Sequence, residues 1–337
     1  GGKARLCYSA ELEKVGMAAA LSTTRYDMRA ATVGKYALFA GGYISKSSFG
    51  YSVSSSVDAY NTSLTKSTPT ELSCKRCGHA AASVGGYALF AGGASSYNLL
   101  NFYENLVSAV DAYDASLTRS AAHIIGATVA IGGAAVGNYA LFAGGTVYSQ
   151  INKDNVTSDV LAYDPSLTFT TAPLLSVARA NVKGASAGNY ALFAGGRAGS
   201  FCTTVDAYNA SLTRTTATAL SSTKNNSAAA TVGNHAIFVG NTASADIYDA
   251  SLTKTSAAIL STARTGLAAT TVGDYAIFSG GGVADFCDAS LTRSNIGTSM
   301  TGYDMGAATI GDYALFAGGH SGEKSDTAYD SVEVYTA

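Results

Sequence analysis

The chain of 337 residues contains no tryptophan and only three prolines, and charged residues make up just 13% of it. Its 21 basic and 23 acidic residues leave a formal net charge of −2, without the basic stripe typical of nucleic-acid-binding proteins. No apolar run approaches the ~18 residues that a membrane-spanning helix needs. We therefore expect no nucleic-acid partner and no membrane insertion.

Cysteine and histidine are too scattered to indicate a disulfide framework or a metal site. Cys74 and Cys77 form a lone CxxC, which predicts either a loop disulfide or an incidental pair. A copper-radical oxidase would need His79, His320 and Cys202 to converge, and nothing marks them as a set. The histidines occupy four different repeat positions and lack metal-ligand spacing: His79, His123, His235 and His320. We expect no catalytic residue, no metal and no cofactor.

One ten-residue phrase recurs seven times, at a spacing that shrinks from about 51 residues to about 38. The copies are VGKYALFAGG from Val33, VGGYALFAGG from Val84, VGNYALFAGG from Val136, AGNYALFAGG from Ala187, VGNHAIFVGN from Val232, VGDYAIFSGG from Val272 and IGDYALFAGG from Ile310. A second phrase of the type VDAYNTSLTK follows the first six copies, from Val57, Val110, Val160, Val205, Ala245 and Ala284.

The residue pattern of each repeat unit predicts four short β-strands. A run of small residues forms the first, a Gly-x pair supplies the tight turn, and Tyr-Ala-Leu-Phe-Ala forms a second strand that is apolar on both faces. The VDAY segment is the third strand, Asn/Asp-x-Ser is a turn, and Leu-Thr-Lys or Leu-Thr-Arg begins the outer fourth strand. A sheet that is apolar on both faces must be covered on both sides, as in radially packed blades.

These phrases resemble the kelch family, in which a hydrophobic strand ends in Gly-Gly and a Tyr-containing strand follows a variable loop. Four units match that order closely: Gly41-Gly42 with Tyr60, Gly92-Gly93 with Tyr113, Gly144-Gly145 with Tyr163, and Gly195-Gly196 with Tyr208. The family's usual Trp on the fourth strand is missing, and we expect leucines in its place: Leu64, Leu117, Leu167, Leu212, Leu252 and Leu291. The resemblance implies fold, and kelch proteins include enzymes, adhesins and scaffolds.

The resemblance implies an all-β, seven-bladed kelch-type β-propeller of four-stranded antiparallel blades, with residues 1–337 as one domain. The expected blades are residues 26–72, 77–126, 130–176, 180–221, 225–261, 265–298, and 303–337 with 1–22. The last unit stops after its third strand, at Val332 to Tyr335. Since Tyr8 and the Leu12 to Lys14 segment align with that part of other units, we expect the N-terminal segment to supply the missing outer strand and close the ring.

Loops after Gly-Gly differ between units, whereas the turns on the opposite face repeat almost unchanged. The loops are long in the first three units, at residues 43–56, 94–109 and 146–159, and we expect recognition there. The predicted ligand-binding residues are Tyr43, Phe49, Tyr51, Tyr97, Asn98, Phe102, Tyr103, Tyr148 and Phe201. The alternative is that these aromatic residues only fold the loops onto the blades.

Nine residues before each repeat glycine, five of the seven units carry a cation: Arg25, Arg76, Arg179, Lys224 and Arg264. One interpretation is a partial ring of positive charge at the mouth of a central channel, suited to an anion. The other is that they pair with the third-strand acids Asp58, Asp111, Asp206, Asp246, Asp285 and Glu333.

The sequence favours a non-catalytic recognition or adhesion module that binds a carbohydrate or protein ligand through the long loops of the first four blades. Low charge and near-identical units favour an extracellular, cell-surface or virion location. One alternative is a sugar-acting enzyme, an epimerase, lyase or oxidase, at the channel mouth. Another is an intracellular interaction scaffold.

Overall fold

In the computed structural model, the described residues are 12–47, 50–97, 103–147, 155–224, 228–298, 301–322 and 327–337. Their regular secondary structure consists of β-strands, with no helix among them. Consequently none of these segments forms a helix capable of crossing a membrane.

Each of the first six repeat units forms a four-stranded antiparallel sheet, as the sequence predicts. In the first sheet, strands β2 (Arg29–Val33), β3 (Tyr36–Ala40), β6 (Val57–Asn61) and β7 (Lys66–Ser67) lie in that order. Val33 pairs with Tyr36 across the turn, where Gly34 has a φ of 53°. Glycine adopts this left-handed conformation without a Cβ clash, which explains its recurrence.

The next five sheets have the same strand order. The second contains β8 (Ala80–Val84), β9 (Tyr87–Ala91), β12 (Val110–Asp114) and β13 (Arg119–Ala121), and the third β15 (Gly132–Val136), β16 (Tyr139–Ala143), β18 (Val160–Tyr163) and β19 (Phe169–Ala172). The fourth contains β20 (Lys183–Ala187), β21 (Tyr190–Ala194), β24 (Val205–Asn209) and β25 (Arg214–Ala217). The fifth contains β26 (Ala228–Val232), β27 (His235–Gly240), β28 (Thr242–Tyr248) and β29 (Lys254–Ala258). The sixth contains β30 (Ala268–Val272), β31 (Tyr275–Gly280), β32 (Val283–Asp288) and β33 (Arg293–Thr298).

The seventh sheet joins the two ends of the chain. It contains β34 (Gly306–Ile310), β35 (Tyr313–Ala317), β36 (Val332–Thr336) and the N-terminal strand β1 (Glu13–Ala18), which pairs with β36 on the outside. This pairing agrees with the predicted role of the N-terminal segment. Leu12 is buried just before the strand, and Tyr8 lies outside the described residues.

The sheets pack against one another as blades, in a β-propeller-like arrangement. First strands touch those of two other sheets: β8 contacts β2 and β15, β20 contacts β15 and β26, and β34 contacts β30 and β2. Apolar clusters fill the space between neighbouring sheets rather than the inside of any one sheet. Phe39 packs with residues of the seventh sheet, whereas Leu38, on the opposite face of the same strand, packs with residues of the second.

Hydroxyl groups at one position of the first strand bond neighbouring sheets together. The hydroxyl of Thr32 donates to the Thr309 carbonyl at 2.9 Å, and that of Ser186 to the Ala135 carbonyl at 2.8 Å. Four more donate to the equivalent carbonyl of the preceding sheet, from Ser83, Thr231, Thr271 and Thr309. The third sheet carries Ala135 here and cannot donate such a bond.

The turn before the fourth strand corrects one expectation. In the first sheet, the side-chain oxygen of Asn61 accepts hydrogen bonds from the backbone N–H groups of Ser63 and Thr65, both at 2.9 Å. Leu64 therefore lies in the turn, at a φ of 57°, and the strand begins only at Lys66. The same holds for Leu117, Leu167, Leu212, Leu252 and Leu291, so these leucines do not replace a fourth-strand Trp.

The long loops form strands of their own. Strands β4 (Tyr43–Ser47), β5 (Gly50–Val53), β10 (Ala94–Tyr97) and β11 (Tyr103–Leu106) make an additional sheet in the order β11, β10, β5, β4. Shorter pairs join β14 (Thr128–Val129) to β17 (Thr146–Val147), and β22 (Arg197–Ala198) to β23 (Ser200–Phe201). The described parts of the loops of the first two units thus form one continuous sheet.

Candidate functional site

The cations of the basic series form ion pairs, and four of the five, all but Arg264, are buried. Arg25 contacts the Asp58 carboxylate through Nη2 and donates from Nη1 to the carbonyl of Ser56 at 2.7 Å, with a side chain that is 0% exposed. The other pairs are Arg76 with Asp111, Arg179 with Asp206, Lys224 with Asp246, and Arg264 with Asp285. Pairing with the third-strand acids is therefore confirmed for these five. The interpretation of Arg25, Arg76, Arg179, Lys224 and Arg264 as an open anion-binding mouth is corrected, because each of these charges is already paired with an acid of a third strand.

The predicted loop residues have different positions. Tyr43 is 7% exposed and belongs to the core beneath the additional sheet, which is what the structural alternative predicts. Tyr51 and Tyr97 are partly exposed, and Phe201 is 44% exposed on a separate hairpin. Tyr103 pairs with Tyr97 across the β10–β11 hairpin. The remaining predicted residues, Phe49, Asn98, Phe102 and Tyr148, lie outside the described residues.

Six aromatic side chains form a continuous row, here called the aromatic arc, made of Tyr97, Tyr51, Tyr43, Tyr26, His320 and Tyr303. The rings of Tyr51 and Tyr97 lie 5.2 Å apart, and each contacts Tyr43. Tyr26 stacks on Tyr43 at 5.1 Å and meets His320 edge-on at 4.8 Å. His320 lies 6.0 Å from Tyr303. The arc therefore runs from the loops of the first two units to the seventh sheet.

Two of the arc residues belong to a Tyr-Asp-Met motif that occurs twice, at Tyr26–Met28 and Tyr303–Met305. Asp27 and Asp304 both have a φ of 51°, and the N–H of Asp27 donates to the Asp304 carbonyl at 2.7 Å. Sequence reasoning missed this motif, although a comparison of the residues seven places before each repeat glycine reveals it. The two copies lie at the first strands of adjacent sheets and present two carboxylates beside the aromatic arc.

A cavity of about 510 Å³ opens at the Tyr303 end of the arc, lined among others by Tyr303, Asp304, His320, Arg264 and Asn241. His320 contacts the Asp304 carboxylate through Nε2 at 3.1 Å, and its Nδ1 accepts the N–H of Gly322 at 3.2 Å. These contacts select the neutral tautomer protonated at Nε2. The hydrogen bond to Asp304 also raises the pKa of His320.

The other histidines do not join this site. His79 is 0% exposed in the core, His123 stacks on Phe169 at 4.4 Å, and His235 begins β27. Across the described segments, no three His, Cys, Asp or Glu side chains form a metal-ligand group.

The CxxC cysteines do not form the loop disulfide that was one of two expectations. Cys74 and Cys77 are both free thiols. Cys77 is buried beneath the additional sheet, and burial raises its pKa to about 12. A thiol with such a pKa carries little thiolate at neutral pH and is a poor nucleophile.

The first strands of six sheets line a second cavity, of about 530 Å³, here called the channel. Its lining consists of Ala, Gly, Ser and Thr residues, including Ala30, Thr32, Gly184 and Thr231. Arg29 and Lys183 begin two of the strands that line it. Neither residue was a candidate in the sequence analysis.

Comparison with known proteins does not assign this chain to a family. No protein-family model matches the chain, and no curated protein is significantly similar to it. The functional argument therefore depends on the geometry of the aromatic arc, the two carboxylates and the cavities.

Proposed function

We propose that the chain is a closed, seven-bladed, kelch-type β-propeller that serves as a non-catalytic recognition module and binds a carbohydrate along the aromatic arc. Support for the closed ring comes from the contact between β2 and β34 and from the hydroxyl bonds between successive sheets. Support for the kelch type comes from the Gly-Gly pairs. A Cβ on Gly41 would lie 2.6 Å from the carbonyl oxygen of Arg76, so glycine permits the close approach of the next sheet.

The continuous aromatic arc carries the functional proposal. Sugar rings pack their C–H faces on aromatic side chains, while their hydroxyl groups need hydrogen-bonding partners nearby. Tyr26, Tyr51, Tyr97 and Tyr303 are partly exposed, and Asp27 and Asp304 provide acceptors at the same edge. A surface of this kind suits an oligosaccharide long enough to contact several of these aromatic side chains.

Recognition is favoured over turnover because the one histidine of the arc already uses both nitrogens. A general base needs a free lone pair within reach of the substrate proton, and Nδ1 of His320 is occupied by the N–H of Gly322. The extracellular, cell-surface or virion location stays a prediction, as does the absence of a nucleic-acid partner.

A glycan array with the purified chain tests the proposal. We expect a restricted set of glycans to bind, and the Tyr51→Ala, Tyr97→Ala double variant to lose that signal. Tyr87→Ala is the matched control, because Tyr87 is also a partly buried tyrosine but begins the second strand at the opposite end of its sheet. An array without signal, or a signal unaffected by the double variant, would contradict carbohydrate recognition by the arc. Phe201→Ala reports separately on the hairpin of the fourth unit.

A further inference from the structure

Arg264 is held less completely than the other arginines of the basic series. In the first sheet, Arg25 donates from Nη1 to the carbonyl of Ser56 at 2.7 Å. Arg76 and Arg179 also donate to main-chain carbonyls, and all three of these side chains are 0% exposed. The side chain of Arg264 is 8% exposed, and no main-chain carbonyl of the described residues accepts a hydrogen bond from it.

The difference follows from the length of the loop after the Gly-Gly pair. In the first sheet, a long loop supplies the acceptor carbonyl. In the sixth sheet, Gly280 pairs with Val283 across a two-residue turn, so there is no loop to supply it. Nη1 of Arg264 reaches only the hydroxyl groups of Ser261 and Thr262, both at 3.3 Å, and Nε has no partner among the described residues. This guanidinium therefore has spare N–H donors.

The cavity of about 510 Å³ lies beside Arg264 and also has a free acceptor. Gly266, two residues after Arg264, accepts the N–H of Asp304 at 2.8 Å, and a Cβ on this glycine would lie 3.3 Å from Asp304 Oδ1. Oδ2 of Asp304 contacts His320, whereas Oδ1 has no hydrogen-bond partner in the described segments. The cavity thus combines N–H donors with a carboxylate oxygen nearby.

Tyr303 adds an aromatic surface to the same cavity. Its ring packs over the backbone of Gly266 and Gly281, since a Cβ on either glycine would lie 3.2 Å from a ring carbon. Ligand cavities in proteins begin at about 300 Å³, so this one has room for a sugar residue. Because Tyr303 is also the last residue of the aromatic arc, a sugar chain that follows the arc ends at the cavity.

The geometry points to a subsite for an acetamido group, so that the cavity selects N-acetylated hexosamines. This inference rests on the proposed carbohydrate recognition and names its ligand class. The acetamido carbonyl accepts from Arg264, its N–H donates to Asp304, and its methyl group packs on Tyr303. A hydroxyl group offers one oxygen to both polar partners and no methyl group to the ring. Because Asp285 already matches the charge of Arg264, the subsite favours a neutral substituent over an anion.

Ligand-observed NMR titrations test the inference by comparing N-acetyl-D-glucosamine and N-acetyl-D-galactosamine with D-glucose and D-galactose. We expect each N-acetylated sugar to bind about tenfold or more tightly than its parent sugar, because its amide makes hydrogen bonds to two charged side chains.

Arg264→Lys tests the donor without leaving Asp285 unpaired. The fifth sheet has Lys224 at the equivalent position, where its ammonium bonds inward to Asp246 and to a main-chain carbonyl. The variant should therefore fold and lose most of the preference for N-acetylated sugars. Arg293→Lys is the matched control, because Arg293 pairs with the same carboxylate at 3.4 Å but does not belong to the cavity lining.

Asp304→Asn tests the acceptor, and it should also lose most of the preference. Asp27→Asn is its control and should retain the preference. Asp27 is the equivalent residue of the other Tyr-Asp-Met motif and has the same φ of 51°, but it does not line the cavity.

The outcomes separate this inference from the proposed function. Equal binding of N-acetylated and parent sugars, or a preference unchanged in folded Arg264→Lys, would overturn the subsite and leave the aromatic arc intact. An equal loss in Arg293→Lys would also overturn it, because the effect would then come from Asp285. A preference that needs Arg264, with a glycan-array signal that survives Tyr51→Ala, Tyr97→Ala, would support the subsite and contradict the arc. If neither N-acetylated sugar binds the wild-type protein, the subsite is rejected.

Discussion

The first and third sheets share one backbone plan but have different groups at three equivalent positions. In the first, the buried Asp58 lies between Arg25 and Lys66, with N–O distances of up to 3.8 Å. In the third, the same positions hold Thr128, Leu161 and Phe169. The cation, the acid and the outer cation are thus replaced together. The ionic group is one way to fill the space at this end of a sheet, and an uncharged group is another.

The seventh sheet is intermediate between these two. Gly302 stands where the first sheet has Arg25, but Glu333 keeps the buried acid and pairs with Lys14 of the N-terminal strand. A buried carboxylate is thus kept where at least one cation reaches it. This follows from the cost of an unpaired buried charge, which exceeds the net gain of a paired one.

The largest expected effect on stability comes from removing one member of the ionic group. Asp58→Ala leaves the fully buried Arg25 without its counter-charge, which should lower the free energy of unfolding by about 3–5 kcal/mol. Urea unfolding monitored by circular dichroism measures it. The triple variant Arg25→Thr, Asp58→Leu, Lys66→Phe copies the third sheet and should stay within roughly 2 kcal/mol of wild type. If the triple variant loses as much as the single one, the two groups are not interchangeable.

Sequence reasoning recovered what every unit repeats. Gly34 and its equivalents required a turn, and the alternation around Phe39 required sheets covered on both faces. It also offered the pairing of Arg25 with Asp58 as one of two interpretations. The turn position of Leu64 was missed, because the Asn61 side chain extends the turn by bonds that strand periodicity does not show.

The aromatic arc could not be read from the repeat. Tyr51 meets Tyr97 because the loops of two units pair as β5 and β10, and loop pairing between units has no sequence period. Tyr26 meets His320 because adjacent sheets come together there.

A second prediction concerns a polar residue in an otherwise apolar position. His79 stands where the first sheet has Met28 and the third has Ile131, and neither ring nitrogen has a hydrogen-bond partner of standard geometry in the described part of the chain. His79→Met should raise the free energy of unfolding by about 1–3 kcal/mol, the usual cost of an unsatisfied buried polar group. Chemical denaturation at pH 8 measures this. A less stable variant would indicate that the imidazole is bonded.

The same residue should make stability depend on pH. Burial holds the pKa of His79 well below its ordinary value of 6.5, so the unfolded chain binds this proton more readily than the folded one. The contribution of the neutral His79 side chain to the free energy of unfolding is therefore complete above pH 6.5. It decreases as the pH falls below that value, because the unfolded chain then takes up the proton. Melting temperatures between pH 8 and pH 5 should therefore fall less in His79→Met than in the wild type. Parallel pH profiles would contradict this account.

The smallest expected effect concerns the hydroxyl that the third sheet lacks. Ala135→Ser should donate to the carbonyl of Ser83, as Thr32 donates to Thr309 in the first sheet, and stabilise the protein by about 1 kcal/mol. Ala134→Ser is the matched control. Ala134 faces the apolar core between sheets, so adding a hydroxyl there should destabilise the protein. Thermal unfolding of both variants measures the difference. If Ala135→Ser and Ala134→Ser lose the same amount of stability, the second and third sheets approach too closely to accept the added oxygen.

The affinity of Tyr26→Ala for the strongest glycan of the array tests the central claim most directly. Tyr26 joins the two halves of the aromatic arc through Tyr43 and His320. We expect calorimetry to show binding weakened by about 30-fold, the loss of an anchor worth about 2 kcal/mol, with Tyr87→Ala unchanged and both variants folded. Wild-type affinity in folded Tyr26→Ala would contradict recognition along the arc.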